Sequence, residues 1–198
     1  MDYMQKRSRR KFIYNLGMAG LGIPFLSAAA NCDNESSKQQ TMQSKKAKLG
    51  IALVGLGGYA GGQLAPALQQ TEHCYLAGIV TGTPSKIPVW KEKYNIPDKN
   101  IYNYDNYDSI KDNPDIDIIY VILPNNLHAE YSIRAAQAGK HVICEKPMAI
   151  TVEDCDRMIA ACNKANVHLS IGYRLHFEPY NLEMVRCGTQ KIYGEIKK

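Results

Sequence analysis

Leu49-Gly50-Ile51-Ala52-Leu53-Val54-Gly55-Leu56-Gly57-Gly58-Tyr59-Ala60 is the stretch on which the fold turns. Leu49–Val54 is short, aliphatic and almost continuous, which suits a strand buried on both faces. Residues 55–60 fit G-x-G-x-x-A and lead into a helical period, Tyr59–Gln70. In that setting Gly55 makes the tight turn and Gly57 lets the backbone approach a pyrophosphate. Ala60 permits close helix–strand packing. A helix beginning here turns free N–H groups and the positive end of its dipole toward the phosphates. A glycine turn alone says little; strand, glycine loop and helix in this order read as a dinucleotide site.

The same alternation continues outward from this unit. Tyr75–Val80, Ile116–Leu123, His141–Cys144 and Val167–Ile171 are further Val/Ile-rich runs. Between them lie helical periods at Ser85–Tyr94, Leu127–Ala138 and Val152–Ala165, with a shorter turn at Tyr107–Lys111. Alternating strands and helices argue an α/β domain with a doubly wound parallel sheet of Rossmann type. It is expected to occupy residues 48–193, with Glu178–Arg186 as one more helix. Residues 194–198 start what reads as another strand.

The end of the second strand bears on cofactor choice. A domain built for NAD usually places an acid there for the ribose hydroxyls. No Asp or Glu occurs between Glu72 and Glu92. Thr81 and Lys86 follow the strand instead, and a hydroxyl with an ammonium can hold a 2′-phosphate. The run favours NADP over NAD, against a purely solvated Lys86.

Of the 198 residues, 45% are hydrophobic and 22% charged, which suits one ordinary globular domain and excludes a collagen-like or largely disordered chain. The net charge is +5, but residues 1–48 hold 9 basic and 3 acidic residues. The remainder holds 15 and 16, so the body has no basic excess with which to bind nucleic acid. The excess belongs to a leader. Ser8-Arg9-Arg10-Lys11-Phe12-Ile13 is a twin-arginine pattern, followed by a glycine-interrupted apolar run and by Ala28-Ala29-Ala30. Residues 1–32 therefore read as a twin-arginine export signal to the periplasm. Cys32 offers an alternative end as a lipidated, membrane-anchored cysteine. Residues 33–47 are polar and read as a linker or arm.

The other cysteines give no disulfide framework and no metal-ligand spacing, so no metal is expected. Cys74 and Cys144 sit in strand-like runs. Val152, Cys155, Ile159 and Cys162 form a helical stripe expected to face the core.

Cys144-Glu145-Lys146-Pro147 closes the strand His141–Cys144. Side chains at such strand ends face the ligand crevice of an open α/β sheet. A lysine there can bind a hydroxyl and relay its proton; a surface Glu–Lys pair before a proline turn is the plainer alternative.

With these residues in place, the chain resembles the N-terminal portion of the Gfo/Idh/MocA oxidoreductases, in particular their glucose–fructose oxidoreductase branch. The matching segments are VGLGGYA at 54–60, IVTGTPSK at 79–86, IYNYDNYD at 101–108, the run 120–149 that contains LPNNLH and EKP, and IGYRLHFEP at 171–179. The resemblance implies that Gly55, Gly57, Gly58, Tyr59 and Ala60 form the pyrophosphate loop. It implies that Thr81 and Lys86 hold the 2′-phosphate, and that Tyr104 contacts the cofactor. Leu123, Pro124, Asn125, Asn126 and His128 fall beside the nicotinamide ribose. Glu145 and Lys146 form the EKP pair against the cofactor, with Lys146 catalytic, and Arg174 is a further cofactor contact. Pro147 is often cis in the family. Plainer roles stay open: Asn125 or Asn126 as a helix cap, His128 as a surface histidine, Tyr102, Tyr104 and Tyr107 as packing, and Arg174 paired with an acid.

The resemblance further implies a C-terminal α+β substrate domain, which is absent here and of which residues 194–198 are the start. That domain carries the family's oligomer interface, so a homo-oligomer is expected only with it. The expected function is NADP-dependent hydride transfer on a sugar or polyol, or the cofactor-binding half of such an enzyme. A non-catalytic NADP-binding module and a dinucleotide-dependent glycosidase are the alternatives.

Overall fold

The computed structural model describes residues 48–195. The twin-arginine pattern, the apolar run, Cys32, the arm at 33–47 and residues 196–198 lie outside the described residues.

Six strands form one sheet: β1 (Leu49–Val54), β2 (Cys74–Val80), β3 (Ile101–Tyr102), β4 (Ile118–Val121), β5 (His141–Cys144) and β6 (Leu169–Ile171). Their order is β3-β2-β1-β4-β5-β6, and every neighbouring pair is parallel. The chain winds one way from β1 to β3, then returns past β1 to β4 and winds the other way. The strand order therefore reverses between β1 and β4, where open α/β sheets form their crevice. This is the doubly wound, Rossmann-type sheet that the alternating runs predict.

Among the described residues four α-helices lie between strands, α1 (Ala65–Leu68), α2 (Ile87–Tyr94), α3 (His128–Gln137) and α4 (Val152–Ala165), and a fifth, α5 (Pro179–Thr189), follows β6. Packing on both sides of the sheet explains the continuous apolar strands. Ala52 and Val54 face one core with Tyr107, Ala135, Met158 and Cys162. Ile51 and Leu53 face the other with Leu56, Ala60, Ala65 and Trp90. Local chemistry sets the helix ends. Thr151 Oγ1 accepts the Asp154 N–H at 3.1 Å to start α4. Left-handed Asn95 and Asn166 stop α2 and α4.

The structure departs from the sequence reading in four places. The helix expected over Tyr59–Gln70 opens with a wide π turn, Ala60–Leu64, before α1. β4 is shorter than Ile116–Leu123. β3 has two residues and no alternation to betray it. On α4 the inward stripe is Met158 and Cys162, whereas Val152 is 72% and Ile159 46% exposed. The helix is rotated so that unbranched Met158, rather than Ile159, fills the core.

Candidate functional site

A cleft of about 730 Å³ opens at the C-terminal edge of the sheet, lined by Tyr59, Ile122, Leu123, Asn125, His128, Glu145, Lys146, Tyr173, Arg174 and their neighbours. Its walls are the four segments that follow β1, β4, β5 and β6. The sheet topology thus brings together residues 115 positions apart in sequence, from Tyr59 to Arg174.

Tyr59 carries the end of the glycine loop to the cleft. Gly55 has φ +94°, and a Cβ there would lie 2.6 Å from the Ile122 carbonyl oxygen. Only glycine fits both conditions. Gly57 and Gly58 have open space where a Cβ would stand, so their backbone is approachable. Ala60 is fully buried against the sheet. Burial first, and then the charge of the nearby Glu145 carboxylate, hold the Tyr59 hydroxyl above the ordinary tyrosine range, opposed by Arg174.

Lys86 ties this loop to the segment after β2. Its ammonium donates to the Leu56 carbonyl at 2.7 Å, so it is a strut beside the glycine loop rather than a freely solvated side chain. Thr81 is buried, and its Oγ1 accepts the Thr83 N–H at 3.1 Å. Tyr104 packs on Gly82, where a Cβ would come within 2.8 Å of its ring. Burial raises the Tyr104 hydroxyl's pKa. The neighbouring tyrosines serve packing: Tyr107 is fully buried and donates to the Tyr131 carbonyl at 2.9 Å, and Tyr102 accepts from Asn113 at 2.8 Å.

The segments after β4 and β5 meet on His128. This residue is 1% exposed, so it is not a surface histidine. Its Nε2 lies 2.8 Å from the Leu123 carbonyl and its Nδ1 2.7 Å from the Pro147 carbonyl. Pro124, Asn125 and Asn126 form the turn leading into α3, and neither asparagine caps the helix with its side chain.

Glu145 is buried under the cleft. Its Oε1 accepts the Tyr120 hydroxyl at 2.7 Å and its Oε2 the Lys146 N–H at 3.2 Å. Burial, and then the bond to Glu145, push the Tyr120 hydroxyl far above the ordinary tyrosine range. Lys146 is exposed toward the cleft, and the Lys146–Pro147 peptide is cis. Arg174 stands opposite on the segment after β6 and forms no direct ion pair with an acid among the described residues.

Sequence reasoning did not single out Tyr120, Gly172, Tyr173 or Leu175. Tyr120 sits in a strand where a tyrosine reads as core. The other three flank Arg174 and became visible only once β6 was placed beside β5.

An open parallel sheet with a glycine loop at its switch point and an acid–lysine pair across the crevice defines a nucleotide-binding oxidoreductase domain. The family comparison agrees: residues 49–173 match the model of the Gfo/Idh/MocA "Oxidoreductase family, NAD-binding Rossmann fold", and the chain belongs to this family. Among solved structures it is similar to the aldose-aldose oxidoreductase from Caulobacter crescentus complexed with glycerol. That match has 52% identity and a TM-score of 0.70 over 71% of this chain and 42% of that one. The D-xylose 1-dehydrogenase [NADP(+)] of Haloarcula marismortui is 28% identical over 148 residues, 74% of this chain and 40% of that protein. The 1,5-anhydro-D-fructose reductase of Ensifer adhaerens is 47% identical over 62 residues, 31% of this chain and 19% of that protein. The chain thus spans less than half the length of each of these relatives.

Proposed function

We propose that this chain binds NADP in the cleft and forms the cofactor-holding part of an oxidoreductase acting on a sugar or polyol. One observation carries the proposal: the cleft brings Tyr59, which follows the open backbone of Gly57 and Gly58, together with the Glu145–Lys146 pair. The extended dinucleotide requires such a path between a phosphate cradle and a reactive end. The residues present fit the group. Gly57 and Gly58 leave room where the pyrophosphate would lie, Thr81 and Lys86 would hold the adenosine end, and Tyr104 covers Gly82.

When bound, the nicotinamide supplies the hydride acceptor or donor. Lys146, exposed in the cleft, binds the substrate hydroxyl and takes up or returns its proton. Glu145 fixes the Lys146 backbone, and Asn125 and Arg174 border the same space. The sugar relatives, together with hydroxyls and an ammonium where an acid would favour NAD, support a polyhydroxy substrate and NADP.

The test is fluorescence titration of the chain with NADPH and NADH, followed by sugar-dependent change in nicotinamide absorbance. NADPH is expected to bind at least about tenfold more tightly than NADH, and Lys86→Ala to erase most of that difference. Lys146→Ala is expected to abolish sugar-dependent turnover and to weaken NADPH about tenfold without abolishing its binding. Equal affinity for the two cofactors overturns the NADP assignment. Release of nitrophenol from a nitrophenyl glycoside without net redox change overturns the dehydrogenase assignment.

A further inference from the structure

Lys146 presents its side chain to the cleft, yet both of its neighbours in sequence are tied down. On one side Glu145 is 9% exposed, and its Oε1 takes the Tyr120 hydroxyl at 2.7 Å. Its Oε2 takes the Lys146 N–H at 3.2 Å. On the other side the Pro147 carbonyl lies 2.7 Å from His128 Nδ1.

The second nitrogen of His128 meets the Leu123 carbonyl at 2.8 Å. One buried ring therefore bridges the segments that follow β4 and β5. A ring carrying one hydrogen donates to one of these carbonyls, and a ring carrying two donates to both. With both nitrogens so engaged, the ring offers a ligand in the cleft only its C–H edges. A direct hydrogen bond from His128 to a cofactor is thus at odds with its partners. Tyr120 is likewise committed: its hydroxyl is spent on Glu145.

We propose that Tyr120 and His128 are positioning residues that clamp Lys146 from its two sides, Tyr120 through Glu145 and His128 through the Pro147 carbonyl. The proposal rests on the use of Lys146 given above. Its physical logic is that a long flexible side chain is aimed by fixing the backbone that carries it. Reacting groups need placement to a fraction of an ångström. Gly172 belongs to the same device, because a Cβ there would lie 2.8 Å from Glu145 Oε1 and 3.2 Å from the Tyr120 hydroxyl.

Amide hydrogen exchange of the full chain without cofactor tests the clamp directly. The Lys146 N–H reports on Glu145, and the Glu145 N–H, bonded to the Val121 carbonyl at 3.0 Å, reports on the sheet. Tyr120→Phe and His128→Asn are each expected to speed exchange at Lys146 about tenfold while changing the Glu145 amide less than about twofold. An equal rise at both amides, or none at Lys146, overturns the proposal.

A second measurement compares NADP with its adenosine half, adenosine 2′,5′-bisphosphate. Both variants are expected to weaken the whole dinucleotide about tenfold, spare the adenosine half, and lose their effect in a Lys146→Ala background. A penalty that persists in that background overturns positioning through Lys146. If the unmodified chain fails to bind NADP, the proposed function falls, and the exchange result still decides the clamp.

Discussion

At the scale of single residues, the site depends on where side chains are missing as much as on where they are. Gly172 follows β6 and lies directly under Glu145. An added methyl there meets Glu145 Oε1 at 2.8 Å and its carboxyl carbon at 3.1 Å. Glu145 cannot swing aside without leaving Tyr120 and the Lys146 N–H, so the overlap falls on a pinned group. Gly172→Ala is expected to destabilise the chain by about 1–3 kcal/mol, the usual cost of overpacking. It is also expected to weaken NADP binding. A chemical denaturation curve and a cofactor titration check both, and unchanged values would show that Glu145 has room to move. Tyr120 shows why such a device escapes a sequence reading. In a strand with Ile118, Ile119 and Val121, a tyrosine counts as one more large apolar residue. Its hydroxyl acquires a role only because β5 pairs beside β4 and places Glu145 within 2.7 Å. Lys146 and Glu145 were legible because they end a strand, and a strand end in this fold points at the crevice.

At the scale of elements, one arginine holds the segment after β3 against α3. Arg134 donates to both Asp108 oxygens, at 2.9 and 3.2 Å, and to the Tyr104 carbonyl at 3.2 Å. Its guanidinium also lies 4.9 Å from the ring centres of Tyr107 and Tyr131. A planar fork stacked on rings and bonded to a carboxylate is a role lysine cannot fill. Arg134→Lys is therefore expected to cost about 1–2 kcal/mol, held down by the exposure of Asp108. It is also expected to loosen Tyr104 over Gly82, visible as a higher Kd for the adenosine half of the cofactor. A loss of stability with no change in that Kd would detach Tyr104 from the site. The elements themselves were legible to different degrees. β1, β5 and α4 stand at the bounds that their apolar runs and helical period predict. β3 does not announce itself, because two residues are too few to show a period, and its pairing with Ile79 and Val80 depends on β2. The π turn at Ala60–Leu64 was invisible too, since its residues, AGGQL, fit any loose first turn of a helix.

Across the described domain, four groups that titrate at high pH, Cys144, Cys162, Tyr107 and Tyr120, move in one direction. Burial pushes the Cys144 thiol up to about 11, offset in part by Ser132 and reinforced by Glu145. Burial likewise raises Cys162, Tyr107 and Tyr120, the last helped by its bond to Glu145. Each group stays protonated in the fold after its unfolded counterpart has begun to ionise. The folded state then holds more protons than the unfolded one, so stability must fall as pH rises. For Cys144 the contribution is complete below about pH 8.5, the ordinary thiol range, and is lost as pH climbs through its folded value. A shift of this size corresponds to about 3 kcal/mol. The tyrosines extend the loss to higher pH, because the unfolded phenol ionises near pH ~10. Denaturant midpoints are therefore expected to be flat from neutrality to about pH 8 and to decline steadily toward pH ~11. Cys144→Ala should shift the neutral midpoint down, since it leaves a small gap beside Met148 and Ser132, yet flatten the decline above pH ~9. If the variant and the unmodified chain lose stability in parallel over that range, the buried thiol is not a source of the alkaline sensitivity. The decline would then belong to Tyr107 and Tyr120, whose hydroxyls hold the α3 side and the floor of the cleft, respectively.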